Sequence, residues 1–209
     1  VMLNEKFTEL SDARVRKALQ YSIDRQAILD SLYAGQGELE NGIFPHGLIG
    51  YNADLPEIPY DVDQAKELLA EAGYPDGFEM ELCYSSDAGQ TTKDMLEIIS
   101  AYWAEIGVTA KVTEIDAGSF LDMRAAGEIE SYTSSWSADF NDPDNFIYSF
   151  FGNEDNTERR GIGYSNSEAI ARVAAARAIV DEDERIAEYQ DLEKLIIQDD
   201  AAWIPLFSK

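Results

Sequence analysis

Apolar residues recur at two spacings along this chain, and the order of those spacings predicts its architecture. In "LSDARVRKALQYSI", Val15, Leu19 and Ile23 fall on one helical face, with Ser11 or Asp12 placed to cap it. Asp24 opens a second helix, "DRQAILDSLY". From Ala34 to Tyr60, Gly, Pro, Asn and Asp recur without a period, which predicts a long surface loop. "YDVDQAKELLAEAGYPDG" then carries a capping pair at Asp61 and Gln64, an apolar face through Ala65, Leu68, Leu69 and Ala72, and a stop at Gly73. Beyond a Pro75-Asp76-Gly77 turn, "FEMELCY" sets Phe78, Met80, Leu82 and Tyr84 against Glu79, Glu81 and Cys83, the alternation of a strand.

A helix is expected from about Thr91 to Ile106, and "GVTAKVTEID" alternates again through Val108, Ala110, Val112 and Ile115. "GSFLDMRAAGE" reads as a short helix, and "SYTSSW" as a β-prone run. "VML" at the start reads as the end of a strand. Strand, helix, strand, helix, strand in that order implies parallel crossovers and an α/β sheet. The last third reads as helical over 167–180 and 183–199, with Ile186, Tyr189, Leu192, Leu195 and Ile196 on one face, before "AWIPLF" leaves as a strand or extended segment.

A length of 209 residues suffices for one large domain. Charge then narrows the partners, because 41 Asp plus Glu against 16 Lys plus Arg give a net charge of -25. Such a chain repels phosphate backbones and anionic membrane surfaces, so no nucleic-acid partner is expected. Cys83 is the only cysteine, which excludes an internal disulfide and a Cys-x-x-Cys site; within "FEMELCY" it reads as a small buried hydrophobe. No apolar run approaches the ~20 residues of a membrane span. The chain starts at Val1 rather than Met, which reads as a piece of something longer.

The stretch "SSWSADFNDPDNF", Ser134 to Phe146, concentrates short carboxylates beside a large aromatic just past a predicted strand, where open α/β sheets place ligand crevices. Calcium-loop spacing fails there: counted from Asp139, the fifth position is Pro143, the sixth Asp144 where Gly is needed, and the twelfth Phe150 where Glu should chelate. Asp142-Pro143-Asp144 reads as a helix start, with Asp142 at or near the cap and Pro143 at the first helical position. Asp139 and Trp136 are not needed for that cap. A carboxylate there suits a cationic group, and the indole suits apolar or cationic parts of the same ligand.

Four motifs, "LSDARVRKALQYSIDRQAIL", "YDVDQAKELLAEAGYPDGF", "WSADFNDPDNF" and "DDAAWIPLF", occur in an order that resembles the extracellular solute-binding proteins, family 5, of ABC importers, which include oligopeptide- and dipeptide-binding proteins. The resemblance implies a periplasmic-binding-protein-like (type II) lobe, a central mostly parallel sheet flanked by helices. It implies that residues 1–209 form a single α/β lobe, the C-terminal ligand-binding lobe of a two-lobed protein whose N-terminal lobe is absent. It further implies an exported protein, periplasmic or tethered at the cell surface, that closes on its solute about a hinge and docks on membrane permease subunits. No covalent chemistry and no cofactor are implied.

The same resemblance assigns residues. Trp136, Ser137, Ala138 and Asp139 would line the cleft, with Asp139 binding a peptide's α-ammonium group; Tyr84, Ser85 and Ser86 at the strand end and Ala117 would lie alongside. Dipeptide binders carry an arginine just after the strand, whereas "SSDAGQTT" has no basic residue, and they tend to place a tryptophan near Ala117. A longer peptide or another amine-bearing solute is therefore expected over a dipeptide. A sugar-binding relative stays open because Trp136 suits a pyranose ring. In a nickel-binding relative His46 would be the candidate ligand, but it reads as part of a surface turn, so no metal site is expected. A rival of another class is a glycosidase-like enzyme domain using the Asp139, Asp142 and Asp144 carboxylates as acid and base.

Overall fold

The computed structural model describes residues 1–209. Its centre is the crossover unit that the alternation predicts: β3 (Phe78–Ser85), α4 (Gln90–Glu105) and β4 (Val108–Ile115), with β3 and β4 parallel from Phe78↔Val108 to Ser85↔Ile115. Gly77, at φ +77°, starts β3 where a Cβ would collide with the Gly107 backbone, so only glycine lets the two strands begin side by side. Along β4, Val108 and Ala110 are buried while Val112 and Ile115 are half-covered. Ile115, off the alternation, still pairs with Ser85 at the last rung of the ladder.

Two short strands complete the sheet: β1 (Met2–Leu3) and β5 (Ser131–Tyr132), giving the order β1-β5-β3-β4. β5 is parallel to β3 and antiparallel to β1, so the sheet is mixed with a parallel centre. The predicted run "SYTSSW" pairs only through Ser131 and Tyr132; Thr133 to Trp136 leave the sheet as irregular chain.

Helices cover the sheet as their caps predict. α1 (Ala13–Tyr21) is capped by Asp12, α2 (Arg25–Tyr33) by Asp24 and α3 (Val62–Glu71) by Asp61. α5 (Ala117–Ala125) precedes β5, and α6 (Asp144–Phe151), α7 (Glu154–Arg159), α8 (Ser167–Ala176) and α9 (Glu182–Glu193) make up most of the last third. α9 widens into a π-helical segment over Lys194–Asp199. α8 stops at Ala176, short of the predicted Val180, which is almost fully exposed.

The segment from Ala34 to Tyr60 is not merely a surface loop. Ile43, Phe44, Leu48 and Ile58 are buried in it, and β2 (Glu38–Leu39) pairs antiparallel with β6 (Phe207–Ser208). Its backbone is satisfied by distant side chains: the Asn41 carboxamide accepts from the Ile58 N–H at 3.0 Å, and Gln198 donates to the Asn41 and Pro56 carbonyls. Two apolar clusters result. One lies between the sheet and α1, α3 and α4, centred on Trp103, Leu19 and Leu82; the other joins the 43–58 segment to α6, α8 and α9 through Phe44, Phe150, Phe151 and Tyr189. A buried ion pair, Arg16–Glu5 at 2.9 Å, ties the chain start to α1, and Arg16 also donates to the Leu10, Asp200 and Ala201 carbonyls.

Candidate ligand-binding groove

An open groove of about 1190 Å³ runs between two irregular segments and over an aromatic floor. One wall is Thr133 to Asn141 and the other comes from Gly42 to Leu48; Phe146, Phe150 and Trp203 lie at the bottom. The C-terminal strand, Pro205 to Lys209, closes one end. The floor is a set of edge-on rings: Phe150 packs 5.3 Å from Trp136 and 5.2 Å from Trp203.

The 133–141 wall is held from below by Asn145, in the first turn of α6 and 7% exposed. Its carboxamide oxygen accepts from the Trp136 Nε1–H at 3.3 Å and the Asp139 N–H at 3.1 Å, while its Nδ2 donates to Asp139 Oδ2 at 3.3 Å. One buried amide thus sets both the plane of the indole and the position of the carboxylate. Asp139 itself is exposed, so its charge is available to a ligand. Arg160 lies 4.9 Å from the centres of both Trp136 and Phe150, a cation against the indole. Burial, reinforced by Arg124, lowers the proton affinity of Arg160.

The remaining acids of the motif are structural. Asp142 accepts both Arg185 guanidinium bonds at 2.9 and 2.7 Å and also the Asp144 N–H at 2.8 Å. Burial works against its charge, but those bonds outweigh it and hold the carboxyl below its usual range. Asp144 pairs with Arg177 at 3.0 Å. The helix start is thus the one predicted, shifted by a residue: Pro143 occupies the cap position and α6 opens at Asp144. Asn141 accepts from the Ile49 N–H at 2.7 Å and joins the two walls at one end.

Of the residues singled out from sequence, Trp136, Ser137, Ala138 and Asp139 line the groove together. Tyr84, Ser85, Ser86 and Ala117 do not line it; Ala88, Thr92 and Met95, just after them, do. Tyr84 is buried with its hydroxyl on Glu114 at 3.0 Å, Ser85 bonds Asp87, and the Ser86 hydroxyl accepts from the Ala117 N–H at 3.0 Å. These four sit at the end of β3, each tied by its own hydrogen bond, and none of them lines the groove. Cys83 is 1% exposed, and burial pushes its thiol up to about 12. His46 does stand in a turn, edge-on to Tyr51 at 5.1 Å, yet it lines the groove.

Sequence reasoning missed the Gly42–Leu48 wall, the floor residues Phe146, Phe150 and Trp203, and Glu193 beneath the wall. Phe146 and Phe150 were visible only as an apolar face of α6. Nothing in sequence spacing joins residue 43 to residue 193.

A mixed sheet with a parallel centre, helices on its faces and an open groove beyond the strand ends define a type II periplasmic-binding-protein lobe, as the solved structures it resembles also do. HbpA2 from Haemophilus parasuis superposes with a TM-score of 0.89 at 33% identity, covering 99% of this chain and 41% of that one. DppA from Helicobacter pylori, solved with the peptide STSA, gives 0.88 at 30% identity, over 99% and 40%. The chain belongs to the bacterial extracellular solute-binding proteins, family 5, whose middle region matches residues 1–158. Among curated relatives it is 31% identical to heme-binding protein A of Haemophilus influenzae, over 99% of this chain and 38% of that protein. It is 31% identical to the dipeptide-binding protein of Escherichia coli, over 92% and 36%. The glutathione-binding protein GsiB of Salmonella typhimurium is 32% identical, over 99% and 41%. The chain therefore spans about 40% of the length of its relatives. The relatives are solute-binding proteins and not enzymes, which agrees with Asp142 and Asp144 being committed to arginines.

Proposed function

We propose that this chain is the solute-binding lobe of a two-lobed, exported protein that captures peptides and delivers them to the permease of an ABC importer. The observation that carries this reading is the Trp136–Asp139 wall: an exposed carboxylate set by Asn145 beside an indole, over an aromatic floor. Asp139 would take the α-ammonium group of the peptide, and Phe146, Phe150 and Trp203 would take apolar side chains. Relatives named for dipeptides and glutathione support a ligand with a free amine. The absence of a basic residue in "SSDAGQTT", whose Ala88 and Thr92 line the groove, supports a longer peptide over a dipeptide with a clamped carboxylate. The share of the relatives' length that the chain spans supports a second lobe that swings over the groove about a hinge.

The test is calorimetry on the full-length protein with the tripeptide Ala-Ala-Ala and its N-acetylated twin. Wild type should prefer the free amine, and Asp139→Asn, which keeps shape and loses charge, should weaken binding by roughly 1 to 3 kcal/mol, about one to two decades in Kd. Equal binding of the twins by wild type would remove Asp139 as the anchor and favour a sugar-type or other neutral ligand.

A further inference from the structure

The wall from Gly42 to Leu48 closes over a buried carboxyl. Glu193, the last residue of α9, is 1% exposed, and its Oε2 accepts the Ile43 N–H at 2.7 Å and the Phe44 N–H at 2.8 Å. Its Oε1 has no hydrogen-bond partner. Gly42 lies so close that any Cβ there would run into the Glu193 side chain, so the wall is shaped around this group. Gly42, Ile43, Pro45, His46 and Leu48 are at the same time groove residues.

We infer that Glu193 is a proton-operated positioning residue for the groove: neutral, it lets the Gly42–Leu48 wall close over it, and ionised, it draws water and loosens the wall, so that the hold on solute weakens as pH rises. This deepens the peptide-capture reading and rests on it for the solute. The physical basis is burial without compensation. Two N–H bonds favour the charged form, but one oxygen is left bare and the carboxyl is desolvated on all sides, which wins and pushes it up to about 7. Glu40, on the same segment, adds a like charge that raises it further. No nearby cation relieves it. Arg25 of α2 donates instead to Asn41 and to the carbonyls of Glu40, Ile58 and Pro205; Lys194 is turned to Asp199; and His46 bears on Glu40. A local opening that hydrates Glu193 returns its affinity for protons toward the ordinary carboxylate value, so the closed wall is most favoured below about pH 4.5, the open one gains steadily from there to about pH 7, and above that both are ionised and the balance levels off.

The experiment is hydrogen exchange, read by mass spectrometry, on the full-length protein, following residues 42–48 with β3 residues 78–85 as internal reference, beside calorimetry with Ala-Ala-Ala. After correction for intrinsic exchange, protection of 42–48 in wild type should fall by up to roughly tenfold per pH unit between about pH 4.5 and about pH 7 and level off above that, with β3 unchanged. Affinity for Ala-Ala-Ala should fall over the same window. Glu193→Gln, which keeps an oxygen acceptor and cannot ionise, should flatten both profiles; Glu193→Met serves the same purpose if the amide variant folds poorly. A wild-type 42–48 profile that stays flat through this window overturns the inference, as does a slope that survives in Glu193→Gln. A slope in exchange with no change in affinity overturns the positioning role. If Ala-Ala-Ala binds at no pH, the peptide reading falls, while the exchange profiles still decide whether Glu193 governs the wall.

Discussion

The two walls of the groove are both irregular chain, and they are fastened in different ways. Asn145 holds the 133–141 wall with a neutral carboxamide whose oxygen and nitrogen are all used. Glu193 holds the 42–48 wall with a carboxyl that leaves one oxygen bare. An amide offers donor and acceptor together and cannot titrate; a buried carboxyl offers acceptors only and exchanges a proton near neutrality. The comparison teaches that a groove built from loops inherits the chemistry of whatever side chain lies beneath each loop. One wall should be indifferent to pH and the other should not.

The sharpest test of that contrast is the pH dependence of stability in Glu193→Gln. Because the folded-state value of Glu193 is raised from 4.5 to about 7, its stabilising contribution is fully present below about pH 4.5 and lost as pH rises through about 7. The difference in unfolding free energy between wild type and Glu193→Gln should therefore shift by on the order of 3 kcal/mol between about pH 4.5 and about pH 8. Denaturant melts at both ends of that range measure it, and a constant difference would erase the distinction between the walls.

Gly42→Ala attacks the same wall by steric means, forcing a methyl group into the Glu193 side chain. It should destabilise by about 2 kcal/mol, within the range for overpacking. Combining it with Glu193→Ala, which opens space, should recover part of the loss; strict additivity in a double-mutant cycle would show that the two residues do not press on each other. On the other wall, Asn145→Ala strands the Trp136 Nε1–H and the Asp139 N–H and should cost roughly 1 to 2 kcal/mol by denaturant melt. That loss should be the same at pH 6 and pH 8, in contrast to Glu193. The smallest effect is expected from Arg160→Met, which removes the cation over Trp136 while keeping an apolar stem: about 0.5 to 1 kcal/mol, with a change in indole fluorescence reporting a freer ring. An unchanged emission spectrum would show that Arg160 does not hold the indole.

How far each wall was legible follows from the distance over which it is held. The 133–141 wall was foreseen because its fastening is local: Trp136, Asp139 and Asn145 lie within one short motif, and the cap at Asp142–Asp144 announces the helix that carries Asn145. The 42–48 wall was taken as a plain surface loop because its partner, Glu193, is about 150 residues away. The group Tyr84, Ser85, Ser86 and Ala117 shows the reverse error of scale: the strand end is where the pattern put it, but the loop geometry turns Ser86 toward Ala117 and leaves Ala88 and Thr92 on the groove.

By itself the sequence determined the β3–α4–β4 crossover, the capped helices and the motif at Trp136–Asp139, because period, caps and turns depend on residues within a few positions of one another. Tertiary structure alone decided that a Pro- and Gly-rich segment becomes a groove wall, that its buried N–H groups meet a carboxyl from α9, and that this carboxyl is buried with one oxygen unpaired. Those outcomes depend on desolvation and on contacts between remote parts of the chain, and neither leaves a periodic trace in the sequence.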